Sequence, residues 1–307
     1  WKQGGLKRFA ILPLIFVHAL AVLKHSRGVD LIHANWTLSA GCVWLTRWLH
    51  RKPFVVTVHG SDIFQAGKIP VIRWLTGVIL RRARKTIAVS KALANEVLAL
   101  GVPEKSLVII PDGVDMDRFK PPEGDRENVI LFVGALTHMK GGDILLRAFR
   151  DVAAIFPSYS LVMVGEGTCR SEWEQLASDL GIKNKVTFTG ALARDDVADW
   201  MRRAILFVLP SRSEGLGVVL LEAMASGTPC IGSDVGGIPD IIDWQSVCLV
   251  SSQNPSELAG AINSYLENPV KLIEASKAAR EKAEYFFAWN RIGSRLVDQY
   301  LISLGKV

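Results

Sequence analysis

Short β-branched and apolar runs alternate with segments of helical period along most of the chain. In the first part, "VDLIHAN", "PFVVTVHG", "KTIAVS" and "SLVIIPDG" read as strands with helix-length sequence between them. The second half repeats the alternation with "NVILFVGAL", "SLVMVGEG", "KVTFTGAL", "AILFVLPS", "TPCIGSD" and "SVCLVSS". A β-α-β-α order implies parallel sheets covered by helices on both faces, so the fold class is α/β. From Pro255 the pattern turns helical and ends in "FAWNRIGSRLVDQYLISL". The proline- and charge-rich "FKPPEGDREN" reads as a linker between two domains.

These signals predict a partial first domain over 1–120, a whole doubly wound domain over 121–286, and a C-terminal helix over 287–307 packing back toward the first. The first domain offers four strands where a comparable one has about six, so its leading strands are expected to be missing. Residues 9–23, "FAILPLIFVHALAVL", are apolar but short and interrupted by Pro13 and His18, which fits a buried helix better than a membrane span.

Composition narrows the class. A chain of 307 residues, 49% of them hydrophobic, is globular and long enough for two cores. Cys42, Cys169, Cys230 and Cys248 lie far apart with no metal-ligand spacing, so no metal site is expected and a reducing, cytoplasmic setting fits. The net charge of +6 suits phosphorylated ligands or an anionic membrane. No aromatic interleaving points to nucleic acid.

The chemistry concentrates in "LPSRSEGLGVVLLEAMASGTP", residues 209–229. It places a strand, a glycine turn and a helix in succession, and ligands of parallel sheets sit where a strand ends and a helix begins. Gly215 and Gly217 allow close backbone approach, and helix-opening amides favour phosphate. Glu222 lies five residues beyond Gly217, about 7–8 Å along a helix axis, the offset between a diphosphate and its ribose. Glu214, at the lip of the turn, would face a donor sugar. The plainer alternative is one surface and one capping glutamate.

The segment resembles the E-x7-E signature of retaining glycosyltransferases of the GT-B fold, family 4 type. "VDLIHANW", "VVTVHGSDIF", "IAVSKALA", "IIPDGVDMDRF", "ILFVGALTHMKGGDILLRAF", "VTFTGAL" and "SDVGGIPDII" resemble that family's motifs in order, from about residue 29 to the end. The resemblance implies two Rossmann-like domains facing a central cleft, the first incomplete here. It implies transfer of a hexosyl unit from a nucleotide-diphosphate sugar, UDP- or GDP-linked, to a glycan or lipid-linked acceptor, with no other cofactor required.

It also implies site roles. Glu222 would hold the ribose and Glu214 the donor sugar. Lys140 would neutralise the diphosphate, within a cradle of Gly134 and the amides of Gly215, Leu216 and Gly217. Leu192, with Ala191, would lie near the base. His59 would approach the transferred sugar from the first domain, and Asp62 would serve the acceptor side. Each has a duller reading: Lys140 as a solvated turn lysine, His59 as a core histidine, Asp62 as a helix cap. "GEG" at 165–167 is a lone turn signal, and Arg212 a surface or supporting residue.

Two departures stand out. Ala135 occupies the place of an arginine that usually joins the lysine on the diphosphate, leaving Arg212 or a missing group to compensate, and Asp112 replaces an asparagine. The family's glycine-rich loop after its first strand is not in this sequence, so residues 1–307 alone are expected to be poorly active. Arg73, Arg81, Arg82, Arg84 and Lys85, with Lys2, Lys7 and Arg8, suggest peripheral contact with an anionic membrane, against a solvated basic face. A nucleotide-sugar epimerase of the same architecture and a non-catalytic nucleotide-sugar-binding protein remain as alternatives.

Overall fold

A computed structural model describes residues 11–66, 69–241 and 247–306. The chain divides into two compact units, one running to Pro111 and resuming at Gly293, the other Asp112–Ile292.

In the first unit the elements are α1 (Ile11–His25), β1 (Ile32–Asn35), α2 (Thr37–His50), β2 (Phe54–Val58), α3 (Ser61–Ala66), α4 (Pro70–Arg82), β3 (Lys85–Ala88), α5 (Lys91–Leu98) and β4 (Leu107–Ile109). The four strands form a parallel sheet in the order β1-β2-β3-β4. β2 is buried at every position, as a central parallel strand should be. α2 breaks off at Arg51, which takes a left-handed conformation, φ 56°, and returns its amide to the Arg47 carbonyl.

The second unit contains β5 (Glu127–Val133), α6 (Gly142–Ile155), β6 (Ser160–Val164), α7 (Arg170–Asp179), β7 (Val186–Gly190), α8 (Arg194–Arg203), β8 (Ala204–Leu209), α9 (Val218–Ala225), β9 (Cys230–Ser233), α10 (Ile238–Ile241), β10 (Val247–Val250), α11 (Pro255–Leu266) and α12 (Pro269–Lys282). All six strands are parallel in the order β10-β9-β8-β5-β6-β7. Successive crossovers therefore run one way from β5 and the other way from β8, and the direction reverses between these two neighbours. A crevice at such a reversal is where open α/β sheets bind ligands. A last helix, α13 (Trp289–Ser303), opens in this unit and counts with the first from Gly293 onward.

The division at Pro111 falls ahead of the proline-rich stretch expected to be the linker. Val114 pairs with Ala288 and Phe119 is 1% exposed, so 112–126 already belongs to the second unit. Within it, Arg126 stitches two helix ends together. Its guanidinium donates to the carbonyls of Met201, Arg202 and Ala204 at the end of α8, to those of Ser226 and Gly227 after α9, and to the Thr228 hydroxyl, at 2.7–3.3 Å. A cation suits the negative ends of two helices. Burial brings its pKa down to about 10, which leaves it charged at neutral pH.

Candidate functional site

The carboxyl ends of β5 and β8 bring two distant side chains together. Lys140 follows β5 and Glu214 follows β8, and Lys140 Nζ donates to Glu214 Oε2 at 2.5 Å. Neither is a surface group: their side chains are 26% and 14% exposed. The Ser211 hydroxyl adds a bond to the same carboxylate oxygen at 3.3 Å. A Cβ built on Gly134 would lie 3.8 Å from the methylenes of Lys140, so that residue borders the lysine stem.

Close backbone contacts hold this arrangement. Gly141, φ +67°, is pressed on β8: a Cβ there would come 2.0 Å from the Pro210 carbonyl oxygen. Gly236 after β9 lies behind the Glu214 turn, where a Cβ would meet the Glu214 carbonyl oxygen at 1.9 Å. Gly237 N donates to that carbonyl at 3.2 Å. Both helices that begin at the reversal, α6 and α9, start on left-handed glycines, Gly141 and Gly217, with no side-chain cap. α2, α4, α7 and α8 also begin without a side-chain cap, whereas α5, α11 and α12 are capped by Ser90, Asn254 and Asn268. A helix start capped by no side chain suits an anion. Leu216 turns its side chain into the core at 3% exposure, so its backbone is what the turn presents; Gly215 lies on the same turn.

Glu222 sits inside α9 with 12% of its side chain exposed. Arg194 Nη2, at the start of α8, is 3.4 Å from its Oε1. Burial pushes the Glu222 pKa above its ordinary value, and the hydrogen bond and charge of Arg194, with the charge of Arg118, only partly offset this. A desolvated carboxylate is costly unless something uses it. Leu192 is half-buried in the short connection between β7 and α8, two residues before Arg194.

Arg212 does not fill the gap left at Ala135. Its guanidinium is spent on Asp143, in paired bonds of 2.8 and 2.7 Å, on the His138 carbonyl at 2.7 Å and on Gln253 at 3.3 Å. Burial pushes the Asp143 pKa up, but the bonds and charge of Arg212, a backbone hydrogen bond and the charge of His138 together outweigh it and hold the carboxyl below its usual range. Together with Arg212 N to Met139 O, 2.8 Å, this ties the β8 loop to the β5 loop that carries Lys140.

Gly165 and Gly167 likewise prove structural. A Cβ on either would strike the backbone of Gly134 or Leu136 at 2.0 or 2.3 Å. The two loops are laced by Gly134 N to Val164 O and Leu136 N to Glu166 O, 3.0 and 2.9 Å.

In the first unit His59 follows β2, and its Nε2 lies 3.2 Å from Asn35 Oδ1 at the end of β1. Asp62 holds the backbone around it, accepting from the amides of His59, Gly60 and Thr37 at 3.0–3.2 Å. Both oxygens are thus committed to backbone, tying the β2 turn to the start of α2. Trp36, left-handed at φ 74° and half exposed, is pinned by its amide to Thr57 O at 2.9 Å. His33 bonds Tyr300 Oη and Thr57 Oγ1, each at 2.7 Å. Burial, then the charge of His59, lowers its pKa. Sequence reading missed Trp36, His33, Tyr300 and Arg194. Only spacing in the folded sheet relates them to the predicted residues.

Part of the basic run is used internally. Arg81 Nη1 donates to Leu100 O at 2.5 Å and Lys85 Nζ to Lys105 O at 2.8 Å. Lys2, Lys7 and Arg8 lie outside the described residues. Among those described, no helix is long and apolar enough to cross a membrane.

The architecture is that of two parallel-sheet, Rossmann-like units with a phosphate-suited site at a sheet reversal. The family described as glycosyl transferases group 1 matches residues 114–284, and that described as glycosyltransferase family 4 matches residues 3–118. An uncharacterized glycosyltransferase of Methanocaldococcus jannaschii is 32% identical, over 96% of this chain and 83% of its own. A D-inositol 3-phosphate glycosyltransferase of Streptomyces avermitilis is 28% identical, over 90% of this chain and 66% of its own. Among solved structures, Anabaena HepE in complex with UDP matches with a TM-score of 0.83 at 22% identity, over 94% of this chain and 82% of that one. Sucrose-phosphate synthase of Thermosynechococcus elongatus matches with a TM-score of 0.82 at 26% identity, over 95% and 78%. The chain belongs to the group 1 glycosyl transferases. It has the GT-B fold and is a glycosyltransferase.

Proposed function

We propose that the chain moves a hexosyl unit from a UDP- or GDP-linked sugar to an acceptor hydroxyl, with retention of anomeric configuration, in glycan, polysaccharide or glycolipid synthesis. The observation that carries this reading is the Lys140–Glu214 pair at the ends of β5 and β8, beside the uncapped start of α9, with the largely covered carboxylate of Glu222 five residues into that helix. HepE, described in complexes with UDP and with UDP-glucose, and the D-inositol 3-phosphate glycosyltransferases support a nucleotide-sugar donor and a hydroxyl acceptor.

In this reading the diphosphate lies against Gly134 and the amides of Gly215, Leu216 and Gly217. Lys140 exchanges Glu214 for a phosphate oxygen, and Glu214 turns to the hydroxyls of the sugar. Glu222 accepts from the ribose hydroxyls, with Leu192 beside the base. The bond from the anomeric carbon to the diphosphate oxygen breaks, and one to the acceptor oxygen forms. The acceptor proton leaves with the nucleoside diphosphate. Fixed positive charge at Lys140 matters most as the leaving oxygen gains charge in a low-dielectric site. Asp62 acts through the loop it holds, and the acceptor side is a glycan or a lipid-linked sugar.

The test is incubation with labelled UDP- and GDP-hexoses together with glycan and lipid-linked acceptors that carry a free hydroxyl, with NMR of the product. A glycoside with the donor's anomeric configuration is expected. An inverted glycoside, or an epimerised nucleotide sugar in its place, contradicts the reading.

A further inference from the structure

Between Ile11 and Lys85 the chain has eleven lysines and arginines and only two acids, Asp30 and Asp62. From residue 86 onward it has 22 basic residues against 28 acidic ones. The whole positive excess therefore belongs to the start of the chain, an asymmetry that marks a surface for anionic partners.

The same stretch exposes apolar side chains in an ordered way. On α2, Leu45, Trp48 and Leu49 are 54%, 76% and 57% exposed; on α4, Val71, Trp74 and Leu75 are 72%, 65% and 38%. Each trio is spaced i, i+3, i+4 and so forms one stripe of its helix. The opposite faces hold Ala40, Val43 and Thr46 on α2 and Thr76 and Leu80 on α4, all buried. The helices lie side by side, since a Cβ on Gly41 would touch Ile79 at 3.4 Å. Single exposed leucines are ordinary, but two stripes on adjoining helices, each with a tryptophan, are not. At the end of α2, Trp44, Leu45, Arg47, Trp48 and Arg51 lie together on the open side of the helix, with Trp44 and Trp48, and Arg47 and Arg51, each at i, i+4 spacing.

We propose that this face docks on an anionic phospholipid bilayer, with the tryptophans at headgroup level and Arg47 and Arg51 on a lipid phosphate. Indoles favour the apolar–polar boundary, and guanidinium forks match phosphate. Charge selects lipid over a second copy of this chain, because two such faces would oppose positive to positive. The crossover helices α2 and α4 run opposite to the strands, so their starts, with Val71 and Trp74, lie at the carboxyl edge of the sheet that carries Asn35 and His59. By the same direction Arg47, Trp48 and Arg51, at the end of α2, lie toward the amino edge, so the docking face runs the length of the two helices. Given the transfer reaction proposed above, on which this last step rests, the acceptor is an amphiphile with its hydroxyl at headgroup depth.

Cosedimentation of the 307-residue chain with vesicles tests this. The vesicles are equal parts phosphatidylglycerol and phosphatidylcholine, compared with phosphatidylcholine alone. The chain should bind the mixed vesicles selectively, and added salt should weaken binding. Arg47→Glu with Arg51→Glu, and separately Trp48→Ala with Trp74→Ala, should each weaken it about tenfold or more. All four positions are exposed, and unchanged thermal unfolding serves as the folding control. Equal binding to both vesicle types, or binding indifferent to both double variants, overturns the proposal. So does a lipid-free dimer that the tryptophan variants dissolve. Glu222→Gln should leave vesicle binding intact, so a failed donor site and a failed lipid surface give different results.

Discussion

Replacing Glu222 by glutamine keeps the shape of the side chain and removes its charge, with opposite consequences for the free and the liganded protein. In the free protein burial outweighs the help of Arg194 and Arg118, so the folded pKa is raised. A raised carboxylate pKa means the folded state binds the proton more tightly than the unfolded chain does. Stability therefore falls as pH rises from the unfolded value, about 4.3, through the folded one, and ionised Glu222 is a net cost at neutral pH. The variant should unfold at a higher temperature than the parent at neutral pH, and the gain should vanish below about pH 4.

Ligand binding should move the other way. If Glu222 accepts from ribose hydroxyls, glutamine forfeits a hydrogen bond to a charged acceptor, worth about 1.5–3 kcal/mol. That is roughly a 10- to 150-fold rise in Kd for the nucleoside diphosphate. Thermal unfolding and isothermal titration, run on both proteins, read the two effects. A glutamine variant that is less stable at neutral pH and binds nucleotide as well as the parent would refute the reasoning.

Other outcomes follow from the same geometry. Glu214→Gln releases Lys140 from its 2.5 Å partner, so steady-state assays and titration should show lost transfer with nucleoside diphosphate affinity kept or raised. Lys140→Met should weaken nucleoside diphosphate binding by about 10- to 150-fold in the same titration. Gly141→Ala imposes a side chain on a left-handed residue 2.0 Å from a carbonyl oxygen. The backbone alone costs about 1–2 kcal/mol, or a melting shift of about 2–8 °C, whereas Gly134→Ala, with room for its methyl, should leave melting unchanged. His33 has a folded pKa below its unfolded value of about 6.5, so it contributes stability above that pH that is lost as pH falls. His33→Gln should flatten the melting temperature across that range.

The strands were legible because parallel strands buried on both faces are written as compact apolar runs. All ten expected strands appear, β8 "AILFVL" among them. The offset of Glu222 from Gly217 was legible because both lie on one helix. What the sequence hid was tertiary. Lys140 and Glu214 are 74 residues apart, and only the adjacency of β5 and β8 makes them partners. Arg194, 28 residues before Glu222, has no local signature at all. Gly165 and Gly167 read as a generic turn because the backbone that excludes their side chains comes from residues 134–136. Arg212 read as a surface or supporting residue, but what it supports was hidden because its partner, Asp143, sits on another element.

The most direct measurement is isothermal titration of the 307-residue chain with UDP, GDP and ADP, each repeated on a Lys140→Met, Glu222→Gln double variant. One of these nucleotides should bind the parent and lose nearly all affinity for the variant. Binding that survives both substitutions, or no binding by the parent to any of the three, would contradict a nucleotide diphosphate site at the start of α9.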